Sequence, residues 1–373
     1  MTNWYLIYAY AVGLSFILSI LLTAGVRHLA IRWGLFDHPG ERKMQSEPVP
    51  LLGGVAIFAT FNLVIIANLL LLEPVRRFGI DWLELNVFSF LGSDVKWKLL
   101  GLSLGGLIIF LLGLVDDLKA LSPEKKMAGQ ILAAVVVVSS GIRLDLFIPD
   151  VWEPGWTTTI VSSVVTAFWI IMMTNAMNFL DNMDGLSAGV AVIAALSMFV
   201  CLMPRDTFVC VLLVVFAGSV AGFLFHNFNP ARIYMGDAGA LFCGYILATA
   251  AVLATFYTGS TSSRVAVCAP LLALSVPIFD MLSVVYIRWR RGESIMKGDK
   301  RHFSHRLVDA GMTPRQAVEF IFLVAAITGL AAVLVRQVNL WGTALIIAQV
   351  VGTYSLIVLL MNAGNNGKDS AGQ

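Results

Sequence analysis

The chain has 373 residues, of which 58% are hydrophobic and only 13% charged, with a mean hydropathy of +0.83. Soluble domains carry roughly 25% charged residues, so this balance excludes a soluble enzyme and describes an integral membrane protein. The net charge of +2 is small, and the basic residues are spread over loops without interleaved aromatics, which excludes a nucleic-acid partner.

Crossing the hydrocarbon core takes about 20 apolar residues. Runs of that kind occupy residues 5–26, 51–72, 99–115, 127–142, 159–177, 186–203, 207–225, 239–257, 265–287, 317–335 and 341–361. They predict an all-α, polytopic fold of about eleven transmembrane helices, ten if one run fails to cross. Residues 1–361 form one transmembrane catalytic domain, and residues 362–373 a short polar tail expected to be disordered. No Lys or Arg precedes the first run, which is too long for a signal h-region and lacks an A-x-A-like cleavage site, so it reads as an uncleaved helix. With the N-terminus outside, 17 of the 25 Lys and Arg fall on the inner side. The remainder are Arg76, Arg77, Lys96, Lys98, Arg143, Arg205, Arg264 and Arg336. The positive-inside rule then predicts N-out, C-in. Cys201, Cys210, Cys243 and Cys268 lie in or beside these runs without C-x-x-C spacing, which reads as packing rather than a disulfide or zinc site.

Polar clusters gather on the inner side. In chain order the first is "DHPGERKMQSEPVPLLGG" (37–54), a turn-rich segment in which Arg42 and Lys43 could bind phosphate or simply anchor the loop. In "LVDDLKA", Asp116 and Asp117 end an apolar run. Neighbours on a helix point about 100° apart, so one can face the bundle while the other faces water. Two close carboxylates persist where a cation sits between them or one holds a proton; the alternative is a plain helix end. "SPEKK" predicts a helix start with Ser122 as N-cap and Pro123 in the first turn, placing Lys126 where it could meet an anionic group or anchor the helix.

In "NFLDNMDG", Asn178, Asp181 and Asp184 at i, i+3 and i+6 would share a helical face suited to a polar ligand or its cation. In "HNFNPARIYMGDAG", Asp237 stands among small residues at a helix start, where N–H groups favour phosphate. Asn227 and Asn229 share that loop, and Arg232 and Tyr234 could bind a phosphate and stack on a base. Asp280 lies inside the ninth run, which Pro270 and Pro277 should kink. It marks either a functional intramembrane acid or the partner of a residue such as Arg288. In "KGDKRHFSHRL", His302 and His305 sit three apart among Lys300, Arg301 and Arg306, an anion-binding basic face if helical. "TPRQ" (313–316) predicts a capping box opening the tenth run.

Acids, amides and cations on one membrane face are the inventory of metal-assisted phosphoryl transfer. A membrane setting implies a lipid-borne reactant. A transporter would instead place its charges near the midplane on repeat-related broken helices; that alternative would rely on Asp280.

At these residues the chain resembles the polyprenyl-phosphate N-acetylhexosamine-1-phosphate transferases, glycosyltransferase family 4, over about residues 5–361. The resemblance implies a bacterial inner-membrane, multi-pass enzyme with its active site facing the cytoplasm. It would transfer N-acetylglucosamine-1-phosphate from UDP-N-acetylglucosamine to undecaprenyl (polyprenyl) phosphate, releasing UMP and starting a cell-surface glycan. The donor could instead be UDP-N-acetylmuramoyl-pentapeptide or another UDP-N-acetylhexosamine. It further implies Mg²⁺, for which Mn²⁺ could substitute. The family's paired acids match Asp116 and Asp117, implied in catalysis with Asp117 also a metal contact, and the M-G-D acid matches Asp237 as metal ligand. Substrate positions match Lys43, Lys126, Asn178, Asp181, Asp184, Asn227, Tyr234, His302 and His305. Two departures stand out. Gln45 occupies the place of a histidine in the first loop, and "HFSH" lacks the triple histidine of the muramoyl-pentapeptide branch, which favours the N-acetylglucosamine branch. The small-residue faces "GLSLG" (101–105) and "GSVAG" (218–222) fit close packing within the chain or in a homodimer.

Overall fold

A computed structural model describes residues 4–37, 47–77, 93–144, 155–203, 207–254, 268–294 and 301–371. Backbone N–H and C=O groups find no partner in hydrocarbon, so apolar runs of this length fold as helices that satisfy themselves. The helices are α1 Trp4–Trp33, α2 Gly53–Arg77, α3 Ser93–Leu118, α4 Pro123–Ser139, α5 Trp156–Leu180, α6 Leu186–Leu202, α7 Thr207–Asn227, α8 Gly236–Leu253, α9 Cys268–Ala273, α10 Ser275–Arg290, α11 Phe303–Asp309, α12 Pro314–Val335 and α13 Leu340–Ala371. Each of the eleven expected runs contains helix. Among the described residues, eight helices (α1, α2, α3, α5, α7, α8, α12 and α13) are long and apolar enough to span a bilayer. Helices α4 and α6 have 17 residues each, about 25 Å of rise. Helix α13 continues through the polar segment to Ala371.

The ninth run is divided rather than bent. Pro277 has no N–H to give the carbonyl of Ala273, and the helix stops at Leu274 (φ −103°, ψ 16°) before restarting as α10. The tenth begins as expected. Thr313 accepts the N–H of Gln316, the Gln316 side chain accepts the N–H of Thr313 at 2.9 Å, and Pro314 is the first helical residue.

Helix α8 is apolar all round, and 83% of its apolar stretch is buried, which makes it the centre of the bundle. At the rim, Leu345, Leu356 and Leu360 of α13 point outward, as lipid-facing side chains should. Without a hydrophobic force between helices in lipid, small residues and a few hydrogen bonds hold α8 in place. A Cβ on Gly244 would lie 2.6 Å from the carbonyl oxygen of Met173 on α5. Trp169 Nε1 donates to the Ala248 carbonyl at 3.1 Å, and the Tyr245 hydroxyl donates to the Leu102 carbonyl of α3 at 2.8 Å. The two small-residue faces are used inside the chain. Gly101 and Gly105 meet Ser140 and Tyr245, while Gly218 and Gly222 meet the backbone of α1.

A two-stranded antiparallel ladder pairs β1 Phe36–Asp37 with β2 Val49–Pro50, between α1 and α2. It is tied to the entry of α8. Tyr234 N–H donates to the Pro50 carbonyl, Gly53 N–H to that of Tyr234 and Gly54 N–H to that of Met235, each at 2.8 Å.

Candidate active site

Asp116 and Asp117 occupy the last turn of α3 and point to different partners, as adjacent helical positions must. Asp117 reaches α8, where its Oδ1 accepts the N–H of Asp237 at 2.7 Å and its Oδ2 that of Ala238 at 3.1 Å. The helix start that the sequence offered to a phosphate is therefore filled by the chain's own carboxylate, a charge-assisted cap on the positive end of α8. Gly236 makes this approach feasible. Its φ is +69°, and a Cβ there would sit 2.5 Å from Asp117 Oδ2.

Asp116 turns the other way, accepting the Leu121 N–H at 2.6 Å and pairing with Lys126. Lys126 also reaches Asp237 Oδ2 at 2.7 Å, and Asn178 Nδ2 donates to Asp237 Oδ1 at 2.7 Å. The ammonium thus sits between two carboxylates contributed by α3 and α8, the arrangement that two close acids demand. Ser122 is the N-cap of α4, as expected, but its side chain makes no capping bond; Pro123 sets the first turn.

The sequence-predicted stripe of Asn178, Asp181 and Asp184 divides, because α5 ends at Leu180. Asn178 stays on the helix and serves Asp237. Asp181 is the C-cap at φ −80° and ψ 59°. Desolvation, followed by the charges of Asp237, Asp117 and Asp184, pushes its carboxyl up to about 8. Asp184 instead braces the neighbouring loop, accepting from Asn229 Nδ2 and the Ala231 N–H at 3.0 Å each. Tyr234 also bonds to Asp184, and burial beside that carboxylate raises its phenol well above the ordinary tyrosine value. Asn227 is 3% exposed and joins two loops, accepting the Gly185 N–H at 3.1 Å and donating to the Ile233 carbonyl at 2.9 Å. Its position makes it a brace. Arg232 contributes its carbonyl to Arg27 Nε.

The two histidines do not share a helical face. His302 is the extended N-cap of α11 (ψ 155°), whereas His305 lies in the helix. Both are 7% exposed. Asp280, fully buried on α10, pairs with His302. That contact ties the acid of α10 to the N-cap of α11. Lys43 and Arg42 lie outside the described residues.

Sequence reasoning missed four contributors. Gly113 lets α3 and α8 touch, since a Cβ there would be 2.5 Å from Ala238 N. Asn182 accepts from Ser304 Oγ at 2.5 Å. Gln130 and Asn175 exchange amide hydrogen bonds at 3.2 and 2.7 Å, joining α4 to α5. Only Asn182 carried a signal, its place inside the polar motif.

Residues 99–255, the segment holding both acid clusters, match the family model "Glycosyl transferase family 4". The "Decaprenyl-phosphate N-acetylglucosaminephosphotransferase" of Mycolicibacterium smegmatis is 33% identical over 380 residues, covering 94% of this chain and 88% of its own. The chain belongs to this family. The "Probable undecaprenyl-phosphate N-acetylglucosaminyl 1-phosphate transferase" of Bacillus subtilis (strain 168) is 31% identical over 336 residues, covering 88% of this chain and 86% of its own. The "Undecaprenyl-phosphate alpha-N-acetylglucosaminyl 1-phosphate transferase" of Escherichia coli (strain K12) is 25% identical over 86% of this chain.

The chemistry of the donor set fits a magnesium ion. Asp116 and Asp237 share one ammonium, Asp117 holds the backbone N–H of Asp237, and Asp181 feels the charges of Asp237 and Asp117, so acids outnumber the single cation. Among the described residues no three His, Cys, Asp or Glu side chains converge as a ready-made cage. Mg²⁺ does not need one, since it is usually bound by one or two carboxylates together with substrate phosphates and waters.

Proposed function

We propose that this chain transfers N-acetylglucosamine-1-phosphate from UDP-N-acetylglucosamine to a polyprenyl phosphate, undecaprenyl phosphate in the first instance. An oxygen of the lipid phosphate attacks the sugar-linked phosphorus. The bond from that phosphorus to the bridging oxygen breaks, UMP leaves with the electron pair, and polyprenyl-diphosphate-sugar remains. The observation that carries this reading is the Asp116–Lys126–Asp237–Asn178 cluster at the polar ends of four helices, α3, α4, α8 and α5, in a chain whose relatives are named for this transfer.

Phosphoryl transfer asks the protein mainly to position reactants and neutralise charge. Asp117 fixes the start of α8 and thereby the direction of Asp237. Asn178 orients one oxygen of Asp237. Asp116 holds Lys126 where its ammonium can turn to an incoming phosphate. Magnesium bound by Asp237, with Asp117 and Asp181 beside it, would supply the charge neutralisation for the diphosphate. Lys43, His302 and His305 are assigned to the donor by the family pattern, and Tyr234, Asn227 and Asp184 brace the loop that leads into α8. The excess of Lys and Arg on one side supports a site facing the cytoplasm from a bacterial inner membrane.

The test is direct. Membranes holding the protein, given UDP-N-acetylglucosamine, undecaprenyl phosphate and Mg²⁺, should yield a lipid-linked sugar and UMP. A panel of UDP-N-acetylhexosamines identifies the donor, and no UMP from any of them overturns the reading.

A further inference from the structure

Asp280 has no part in the cluster around Asp237, yet it is a fully buried carboxylate on α10 with two specific partners. Its Oδ1 accepts the backbone N–H of Phe303 at 2.5 Å, and its Oδ2 lies 2.8 Å from His302 Nδ1. An ionised carboxylate only accepts, so this pairing places the imidazole proton on Nδ1 and leaves Nε2 as the ring nitrogen available to a substrate. His302 stands against the ring of Phe179, 5.9 Å between centroids. Phe179 follows Asn178, the residue that orients Asp237. Two further bonds fix the same short helix. Ser304 holds Asn182 at 2.5 Å, and Arg306 Nη2 donates to Ser283 Oγ at 2.7 Å, one turn beyond Asp280.

We propose that Asp280 is a positioning residue for the transferase reaction, holding His302 in the Nδ1–H tautomer with Nε2 free beside the Asn178–Asp184 segment. Orienting partners of this kind, hydrogen-bonded to the far nitrogen of a working imidazole, set its tautomer and direction. A cap alone would need only the Phe303 N–H; the second oxygen, spent on the imidazole, is what a purely structural acid would not require. The proposal rests on the transferase reading for its kinetic assay.

Asp280→Asn tests it with little change of shape. The amide oxygen can still accept from Phe303, while the amide N–H now faces Nδ1 and drives the proton to Nε2. We expect kcat/KM for UDP-N-acetylglucosamine to fall about 10- to 100-fold, and Asp280→Asn to have no further effect in a His302→Gln background. In ¹⁵N-histidine-labelled protein, the His302 signal, assigned by its loss in His302→Gln, should report a protonated Nδ1 that moves to Nε2 in Asp280→Asn. Retention of kcat/KM within about twofold, or losses that multiply in the double variant, overturns the proposal. So does an Nε2–H tautomer in the wild-type protein, a measurement that needs no variant to fold. A wild-type protein that releases no UMP would sink the transferase reading instead, and the tautomer would still report on the pair.

Discussion

Asp237 receives hydrogen bonds from Lys126 and Asn178, while its backbone N–H is held by Asp117. Asp237→Asn keeps the volume and the Asn178 side of this network but gives up a charge. Its UMP release should drop by about 100-fold or more, with a melting temperature close to the parent's in detergent. Comparable loss of fold and activity would make Asp237 structural. Asp181 makes a prediction of the opposite kind. Its carboxyl titrates near 8 in the folded chain, against 3.8 for an ordinary aspartate. Between those values the folded state holds a proton that the unfolded state has released. Stability of the metal-free protein should therefore fall as pH rises from about 4 to 8. Thermal unfolding in EDTA should show a flatter slope across that window for Asp181→Asn. An unchanged slope would mean that burial and the neighbouring carboxylates do not raise Asp181.

Helix contacts separate stability from function. Gly113 sits where α3 touches the first turn of α8, and Gly218 where α7 touches α1, its Cβ position 2.6 Å from the Val12 carbonyl oxygen. Adding a methyl group at either should destabilise by about 1–3 kcal/mol. Only Gly113→Ala should also depress kcat, because it pushes α8 away from Asp117 and so moves Asp237. Melting curves and UMP assays on both variants check this. Equal kinetic damage from Gly218→Ala would show that the site responds to general loosening of the bundle. The broken ninth run belongs to the same scale. Two prolines announced an irregularity, but its form, a stop at Leu274, depends on how α9 and α10 each dock against the bundle.

For the whole molecule, the distribution of Lys and Arg predicts an N-terminus outside and a C-terminus inside. A green fluorescent protein fused after Gln373 should fluoresce, and alkaline phosphatase fused there should stay inactive; active phosphatase would invert the topology. Much of the helical architecture was legible beforehand, because a lipid-solvated helix must satisfy its backbone internally and so writes itself as an apolar run. The capping box at Thr313 and the acids at the end of α3 were legible for a similar reason, since each depends on residues within one turn. The stripe of Asn178, Asp181 and Asp184 was misjudged because a local pattern cannot tell where α5 stops. The mate of Asp280 was missed because His302 is 22 residues away, on another element.

The membrane class and the helical runs were readable from the chain alone, because both follow from local chemistry and solvation. Only the tertiary structure decided who meets whom. Asp117 caps α8 while Asp116 holds Lys126. Asn227 and Asp184 brace loops, and Asp280 grips His302. The physical reason is that a carboxylate needs a donor or cation close by, and several donors are within reach of each acid in composition. Packing of small residues along α8 brings just one set of them into contact.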